Sequence, residues 1–522
     1  MNRVAEELDR RLKIAKERVA SLATAPSLQE NGRVEQVGDN VASVSGLLDT
    51  QLSEILLFER DGGQEPVSGI VLSLDPGLIG CALLGSSEGL QAGNRVRGTG
   101  SVASVPVGEA LLGRVVNPLG APLDGGAPLA ASSFEPVEKP APAIVDRDFV
   151  NQPLYTGLTV IDAMLPLGRG QRELILGDRE TGKTAIAVDT IINQRDSGVI
   201  CVYCAVGQKM SSVSQVIDAV GTYGDPARCI FVVAAADDPP GLQWLAPYGA
   251  CTMAEYFSER GGHALLIIDD LAKHAVVYRQ LALLLRNPPG REAYPGDIFY
   301  IHSRLLERAA KLDSAHGGGS LTALPVATTE EGNLSAYIPT NLISITDGQI
   351  VLEPRLFHEG QKPAVNTGKS VSRVGGKTQV AAIRELAESL RLRYAQFLEL
   401  EIFTRFGGIL DERTSRIIEH GRRIRAVLTQ PQYEPLSLAA QVAILLALND
   451  GELDSVPVER VATVRSMLLD WLRGDGSMHT GSINSSGVLD EASLRALREA
   501  TRAICKSVLS EGTSTAGIDG QT

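Results

Sequence analysis

Five short apolar runs, separated by stretches with helical spacing, mark the chain between about residues 150 and 380. Short uninterrupted apolar runs are typical of strands that are buried on both faces, as in a parallel sheet covered by helices on either side. The pattern therefore predicts a central α/β domain. The runs are Glu173–Leu176, Val199–Val206, Ile230–Ala234, Ala264–Ile268 and Gly319–Ala327.

Different patterns flank this central part. From about residue 33 to 104, short apolar stretches alternate with Gly, Asn and Asp turns, which predicts a small β-barrel. Between Asn117 and Pro142, dense proline and glycine predict a surface connection that is neither strand nor helix. From about residue 381 helical periodicity dominates. Within residues 1–30, apolar positions also recur at helical spacing. This spacing predicts a helix that either packs on the rest of its domain or binds a partner.

Composition and charge disfavour several classes of protein. The 522 residues are too many for one core, and the net charge of −13 with 4% aromatic residues disfavours a nucleic-acid surface, which needs clustered Lys and Arg. No apolar run has the length that spans a membrane, since the longest, Leu436–Leu448, is short and contains Gln441. The charged N-terminus lacks the apolar core of a signal peptide. We therefore expect a cytoplasmic protein that meets any membrane only through partners.

Six cysteines in this length are too few for a disulfide scaffold. Cys201 and Cys204 form a C-x-x-C within an apolar run, and three positions apart on a strand their thiols point to opposite faces. No second C-x-x-C completes a zinc site. We expect both thiols to be buried and structural.

One segment matches the phosphate-binding pattern G-x-x-x-x-G-K-[ST]. An apolar run precedes it and a helical stretch, Ala185–Ile192, follows it, which is the strand–loop–helix context that such a loop requires. The lysine brings positive charge to the β- and γ-phosphates, and the final threonine is an expected Mg²⁺ ligand. The segment therefore predicts a site for ATP or ADP with Mg²⁺. It consists of Gly177, Asp178, Arg179, Glu180, Thr181, Gly182, Lys183 and Thr184.

The second half of such a site is a metal-positioning acid and a group that activates water. The run Ala264–Ile268 leads into Asp269 and Asp270, and Asp269 is the expected Mg²⁺ carboxylate. A catalytic carboxylate would suit the end of the strand Val199–Val206, but Gln208 stands just beyond it, and an amide cannot take up a proton. The sequence indicates a site without its own base, unless Asp269, Asp270 or a glutamate from elsewhere substitutes.

Arg373 lies in the segment Ser370–Gly375, between short residues. Oligomeric ATPases often supply such an arginine to the γ-phosphate of a neighbour. From spacing alone, however, a surface arginine in a loop is the favoured interpretation.

Together these segments resemble the alpha subunit of F-type ATP synthases, from about residue 30 to about residue 470. The order of the matching stretches is also that of the family. The stretches are Val105–Glu109, Leu111–Val116, Gly182–Thr184, Ile191–Gln194, Pro288–Asp297, Ala336–Asn341 and Ser370–Gly375.

The resemblance implies a ring of alternating alpha and beta subunits around a gamma-type shaft, with a peripheral stalk, on the cytoplasmic face of the inner membrane. It implies a multidomain α/β fold: a β-barrel (31–104), a RecA-like P-loop domain (105–380) and a helical domain (381–522). The helical spacing near the N-terminus adds an N-terminal helical extension (1–30). The membrane and the transported ion, proton or Na⁺, would be met only through other subunits.

The resemblance also implies roles for particular residues. Gln208 matches the non-catalytic alpha state, since beta subunits carry a glutamate there. Arg373, with Ser370 beside it, is implied to serve the catalytic site on beta, which reverses the interpretation from spacing. Gln430 and Gln432 match glutamines on the adenine side of the nucleotide.

The chain departs from the family in several places, among them the segment Asn193–Gly198, which is shorter than usual. Glu180 stands where the family usually has glutamine, and a carboxylate near phosphates repels them unless it points away or is paired. The first 30 residues match poorly, which affects the expected stalk contact. Residues 398–408 resemble the alternate branch called N-ATPases.

Three other functions remain open from the sequence. One is a self-sufficient catalytic subunit of a related ring, beta-like or of the protein-export type. Another is a ring-shaped RNA translocase, against which charge and composition count. The third is a structural subunit that has lost nucleotide binding, a possibility that Glu180 keeps open.

Overall fold

The computed structural model describes residues 31–130, 133–404 and 411–515, and these begin with a closed six-stranded barrel. The strands are β1 (Asn31–Gly38), β2 (Val41–Ser45), β3 (Glu54–Phe58), β4 (Val67–Asp75), β5 (Leu78–Leu83) and β6 (Arg95–Val102). They close in the order β1-β2-β5-β4-β3-β6 with antiparallel neighbours. Leu56 and Phe58 alternate into the barrel core, as the period of two in a strand requires. The predicted barrel is confirmed, whereas the predicted N-terminal helix lies outside the described residues.

Twelve further strands follow the barrel. They are β7 (Ser104–Val107), β8 (Val115–Val116), β9 (Ser133–Pro136), β10 (Pro153–Leu154), β11 (Leu167–Gly168), β12 (Leu174–Gly177), β13 (Ile200–Gln208), β14 (Cys229–Ala235), β15 (His263–Asp269), β16 (Ser320–Thr328), β17 (Gly348–Val351) and β18 (Val371–Ser372). Eight of them form one sheet in the order β18-β17-β12-β16-β15-β13-β14-β8. All neighbours in it are parallel except β17 and β18.

Each of the five predicted apolar runs overlaps one strand of this sheet, from β12 to β16, so the predicted α/β domain is confirmed. Helices cover both faces of the sheet. Cys201 and Cys204 belong to the cores on opposite faces, and both thiols are buried and free, as the spacing predicts. The short strands β8, β17 and β18 escaped the sequence analysis because two to four residues are too few to show a period.

The prediction for Asn117–Pro142 is wrong in one part. Ser133–Pro136 forms strand β9, which pairs with β7 through four register partners, from Val107–Ser133 to Ser104–Pro136. The pairing gives the backbone of this segment hydrogen-bond partners that the sequence does not reveal. Because Pro136 is the last residue of a two-stranded ribbon, its missing N–H is tolerated.

Fourteen α-helices lie in the described residues. They are α1 (Thr159–Met164), α2 (Lys183–Asn193), α3 (Met210–Tyr223), α4 (Pro240–Ser258), α5 (Leu271–Leu284), α6 (Ile298–Leu306), α7 (Tyr337–Ile345), α8 (Pro354–His358), α9 (Ala381–Thr404), α10 (Glu412–Leu428), α11 (Leu438–Asn449), α12 (Val461–Arg473), α13 (Ser477–Ser486) and α14 (Glu491–Thr515). The last six form the predicted helical domain.

The apolar run Leu436–Leu448 supplies α11, whose residues from Leu438 to Leu448 are all buried inside the helical domain. Gln441, the polar residue within it, donates to Asp162 Oδ2 at 2.7 Å, and so joins this helix to α1 of the central domain. In the part of the chain that the structure describes, no helix is both long and apolar enough to cross a membrane.

Candidate nucleotide site

The phosphate-binding loop lies between β12 and α2, in the middle of the parallel sheet. Gly182 precedes the helix with a φ of 95°, a left-handed conformation that favours glycine. A Cβ on Gly177 would lie 2.7 Å from Thr181 Oγ1 and 2.9 Å from Leu352 Cβ, so this position also requires glycine. The two glycines thus let the loop turn tightly into the positive end of the helix dipole.

Lys183 is buried at the start of α2, and its ammonium donates to the backbone carbonyl of Asp178 at 2.6 Å. The Thr181 hydroxyl donates to the same carbonyl at 2.8 Å. Burial lowers the pKa of Lys183, while the carboxylates of Asp270, Asp269 and Asp178 oppose that shift. The lysine is therefore held over the loop, with its charge close to the place where phosphates would lie.

The remaining P-loop side chains differ in their surroundings. Asp178 accepts from Thr329 Oγ1 at 2.6 Å and from the Gly332 N–H at 2.9 Å, so it fixes the loop to the chain beyond β16. Arg179 and Glu180 are exposed, and Glu180 has a φ of 60°. Within the described residues we find no hydrogen bond or ion pair of the Glu180 carboxylate. Among the described residues the carboxylate thus has no partner that would offset the repulsion expected from the sequence.

Asp269 stands at the end of β15 and accepts three hydrogen bonds from side chains. The donors are Thr184 Oγ1 at 2.7 Å, Gln208 Nε2 at 2.8 Å and Tyr203 OH at 3.0 Å. Thr184 and Asp269 come from distant parts of the sequence, and the structure places them together as predicted. A hydroxyl beside a carboxylate is an oxygen donor set of the kind that Mg²⁺ prefers, so these residues fit the ion.

Gln208 is held on both sides of its amide. Its Nε2 donates to Asp269, and its Oε1 accepts from Lys273 Nζ at 2.9 Å. The same ammonium donates to the Gly207 carbonyl at 2.8 Å. A carboxylate on one side and an ammonium on the other fix the orientation of the amide. An amide locked in this way can position a water molecule but cannot accept its proton.

Asp270, the alternative candidate for a catalytic base, has both carboxylate oxygens engaged in structural hydrogen bonds. It is the N-cap of α5, where its Oδ1 accepts from the Ala272 N–H at 2.6 Å, and its Oδ2 accepts from the Thr328 hydroxyl. Burial, and then the charge of Asp269, raise the pKa of this carboxyl. A buried helix cap is poorly placed to act as a base.

A cavity of about 390 Å³ opens beside the P-loop. The predicted residues from Glu180 to Thr184 line it together with Gln430 and Gln432. Gln430 is 3% exposed, and its amide accepts from the Thr159 N–H at 2.6 Å and donates to the Gly157 carbonyl at 3.0 Å. Gln432 is exposed and also lines a second cavity of about 270 Å³ with Gln208 and Asp269. Gln432 is therefore the freer of the two amides.

Arg373 lies next to β18, at the edge of the central sheet. It is exposed, and its guanidinium donates to the carbonyls of Thr346 at 3.2 Å and Ile343 at 3.4 Å, at the C-terminal end of α7. It lines neither cavity beside the P-loop. Ser370 is buried, and its hydroxyl donates to the Asn366 carbonyl at 2.7 Å and accepts from the Val351 N–H at 2.9 Å. The structure thus leaves Arg373 facing outward and Ser370 engaged within the chain.

Comparison with known proteins shows the family to which the chain belongs. A model described as the ATP synthase alpha/beta family, nucleotide-binding domain, matches residues 157–372, and one for the C-terminal domain of the alpha/beta chain matches residues 379–504. ATP synthase subunit alpha 2 of Burkholderia thailandensis is 58% identical over 454 residues, covering 87% of this chain and 81% of the relative. ATP synthase subunit alpha 1 of Paraburkholderia xenovorans is 54% identical over 493 residues, covering 94% and 95%. The chain belongs to the alpha subunits of F-type ATP synthases.

Membership of the alpha-subunit family confirms the resemblance and the nucleotide-binding character of the central domain. It does not bear on the individual site residues, which stay predictions. Sequence reasoning also missed three polar residues at the site. They are Lys273, Asp189 and Tyr433. Lys273 alone left a signal, because it lies in the first turn of the helix that Asp270 caps.

Proposed function

We propose that this chain is a non-catalytic, regulatory alpha subunit that holds Mg-ATP at its P-loop and supplies Arg373 to the catalytic site of a beta subunit. The observation that carries the proposal is the position of Gln208. Its amide lies between Asp269 and Lys273, in the place where a hydrolytic site needs a carboxylate.

The other acids near the loop do not substitute well for a base. Asp269 already accepts three hydrogen bonds, and Asp270 caps a helix. Among the described residues, Glu180 is the only glutamate that lines either of the two cavities beside Thr184. It belongs to the loop that cradles phosphate, so its carboxylate would face the nucleotide's own charge rather than an attacking water.

Binding itself would use the groups already in place. Lys183 and the N-terminal N–H groups of α2 would hold the phosphates, while Thr184 and Asp269 would hold Mg²⁺. When bound, Mg²⁺ would neutralise phosphate charge. Gln208 would keep Asp269 oriented, because its amide donates to that carboxylate.

Arg373 supports a role between subunits. Its guanidinium lies at the exposed edge of the sheet, contacts helix-end carbonyls and lines neither cavity beside Thr184, which supports a role outside its own nucleotide site. Charge that develops on a transferred phosphoryl group is stabilised strongly by such an arginine. The catalytic assignment of Ser370 is weaker. Its contacts support a different role, holding the segment before Arg373 against β17.

The proposed assembly is a ring of three alpha and three beta subunits around a gamma-type shaft, held by a peripheral stalk. It would lie on the cytoplasmic face of the inner membrane and couple ATP synthesis or hydrolysis to proton or Na⁺ transport through other subunits. Exposed apolar side chains outside the site support burial against partners. They include Ile144, Phe149 and Tyr300.

Arg373→Ala in the reconstituted complex tests the proposal. We expect steady-state ATP hydrolysis to fall by about a thousandfold or more, the usual value of a trans arginine, while nucleotide bound to the alpha subunit is retained. Arg373→Lys keeps the charge but loses the fork geometry, so it should recover only part of the rate. Arg355→Ala removes another arginine near the P-loop and serves as the control. Normal turnover in the Arg373→Ala complex would contradict the arginine assignment.

A further inference from the structure

Asp189 is a buried carboxylate of the P-loop helix that the proposed function does not use. It lies five residues after Thr184 on α2 and lines the same cavity of about 390 Å³. At about 1.5 Å of rise per residue, five residues place it roughly 7.5 Å along the helix from the phosphate end. Asp189 therefore faces the part of the cavity that would hold the sugar and base rather than the phosphates.

The contacts of Asp189 leave one oxygen available. Oδ1 accepts from the backbone N–H of Tyr433 at 2.8 Å, and no hydrogen bond to Oδ2 is found among the described residues. The side chain is 3% exposed, and no ion pair joins it to a cation in the described chain. Burial raises its pKa to about 6, against the effect of the Tyr433 hydrogen bond. Near pH 8 the group is thus a buried carboxylate without a counter-ion.

A buried charge of this kind destabilises the fold unless donors satisfy it. The cavity supplies space for such a donor, since Asp189 is part of its lining. We propose that Asp189 accepts a hydrogen bond from an N–H or O–H donor at the sugar–base end of the bound nucleotide, and so determines which nucleotide the site prefers. The inference rests on the proposed binding of ATP at this P-loop and goes beyond it in naming the residue that selects the ligand.

Tyr433 fixes which carboxylate oxygen is free. Its ring stacks on Tyr223 at the end of α3, with centroids 5.0 Å apart and planes 11° from parallel. Its backbone, at a φ of 67°, points the N–H at Asp189 Oδ1. Because this donor stays in place, an asparagine that replaces Asp189 would turn its amide oxygen toward the Tyr433 N–H. The new NH₂ group would then occupy the position of Oδ2.

Two groups of ATP could be the donor, the 6-amino group of adenine or a ribose hydroxyl. Inosine triphosphate tests the amino group, because its base has a carbonyl oxygen at the position of that group in adenine. The 2′- and 3′-deoxy forms of ATP remove the hydroxyls one at a time. The free carboxylate oxygen accepts from either source, so the chemistry of recognition is the same.

The test measures dissociation constants of the full chain for these four nucleotides with Mg²⁺ at pH 8, in the parent and in Asp189→Asn. We expect the parent's preference for ATP over inosine triphosphate to fall by about ten- to a hundredfold, since a donor would then face the amino group. If a ribose hydroxyl is the donor, the preference for ATP over one deoxy form falls instead, because a neutral amide contact replaces the stronger one to a charged carboxylate. Asp196→Asn, in the exposed segment after the same helix, is the matched control and should change neither ratio.

The ratios within one variant do not depend on how much protein is folded, because each compares two ligands on the same sample. Ratios that stay within about twofold of the parent's in Asp189→Asn, with ATP still bound, overturn this inference alone. Failure of the parent chain to bind any of the nucleotides overturns the proposed function as well.

Discussion

The side-chain amide of Gln208 donates to Oδ1 of Asp269 at 2.8 Å, across the ends of two neighbouring parallel strands. The two residues are 61 positions apart in the sequence. Their contact arises because β13 and β15 are adjacent in the sheet and end at the same edge. The hydrogen bond joins the residue that stands in place of a base to the residue that would position the metal.

Gln208→Glu should make this contact sensitive to pH. The substitution replaces the donor to Asp269 with a second carboxylate, so a proton must be taken up or the two groups must separate. Lys273 offsets part of this charge. We expect a loss of about 1–2 kcal/mol in the free energy of unfolding at pH 8, which shrinks toward pH 6 as the introduced carboxyl is protonated. Thermal melts at both pH values, without nucleotide, measure it.

Gln215→Glu is the matched control, because it adds the same charge at an exposed position of α3 that lines the neighbouring cavity. Its melting temperature should stay near the parent's at both pH values. Equal melting temperatures for Gln208→Glu and the parent at pH 8 would show that the amide donor contributes nothing to holding Asp269.

The buried pair His274 and His302 should make the fold sensitive to acid. His274 Nε2 donates to the Trp244 carbonyl at 3.0 Å, so its Nδ1, 3.2 Å from His302 Nε2, is the acceptor in that pair. Burial lowers the pKa of His274 to about 4 and lowers that of His302 as well. Stability from neutral His274 is therefore present above about pH 6.5 and is lost as the pH falls toward 4, by up to about 3 kcal/mol.

His274→Gln keeps one donor for Trp244 and one acceptor for His302 but does not titrate. We expect its stability to fall less steeply than the parent's between pH 6.5 and 4. Denaturant unfolding at several pH values measures this slope. His358→Gln, at an exposed position, should leave the slope as it is in the parent. An unchanged slope in His274→Gln would mean that this histidine does not drive the acid sensitivity.

Asp162 ties the central domain to the helical domain, and its amide analogue should be strongly destabilising. Oδ1 accepts from the N–H and the hydroxyl of Thr156 at 2.9 and 2.8 Å, while Oδ2 accepts from the Gly157 N–H at 2.9 Å and from Gln441 at 2.7 Å. In Asp162→Asn, the NH₂ group must face a backbone N–H in either orientation, that of Thr156 or that of Gly157. We expect a loss of about 2–4 kcal/mol in the free energy of unfolding.

Burial raises the pKa of Asp162, so replacing its carboxyl with a neutral amide removes part of the cost of burying a charge. This gain offsets only part of the loss. Urea unfolding at pH 7.5 measures the change, with Asp218→Asn on the exposed side of α3 as control. A stability equal to the parent's would contradict the importance of the four donors.

The strands of the central domain show which elements the hydrophobic pattern can predict and which it cannot. Val199–Val206 and Ala264–Ile268 were predictable because a strand buried on both faces is apolar at every position. Ser133–Pro136 was not, because a four-residue strand in a proline-rich segment is stabilised by its partner β7 and leaves no period of its own. The P-loop was predictable for a third reason, because two of the requirements for its glycines are local. Gly182 is required by its backbone conformation, and a Cβ on Gly177 would meet the Thr181 hydroxyl four residues on.

The sequence by itself determined the five apolar strands of the central sheet, the phosphate loop and the absence of an acid just beyond β13, because these depend on residues that are neighbours in the chain. Only the tertiary structure decided that Lys273 locks Gln208, that Tyr433 fixes Asp189, and that Gln430 is held by the backbone around Gly157. These contacts join residues between 65 and 273 positions apart. Such pairs are selected by the order of strands and the docking of the helical domain, which no local pattern encodes.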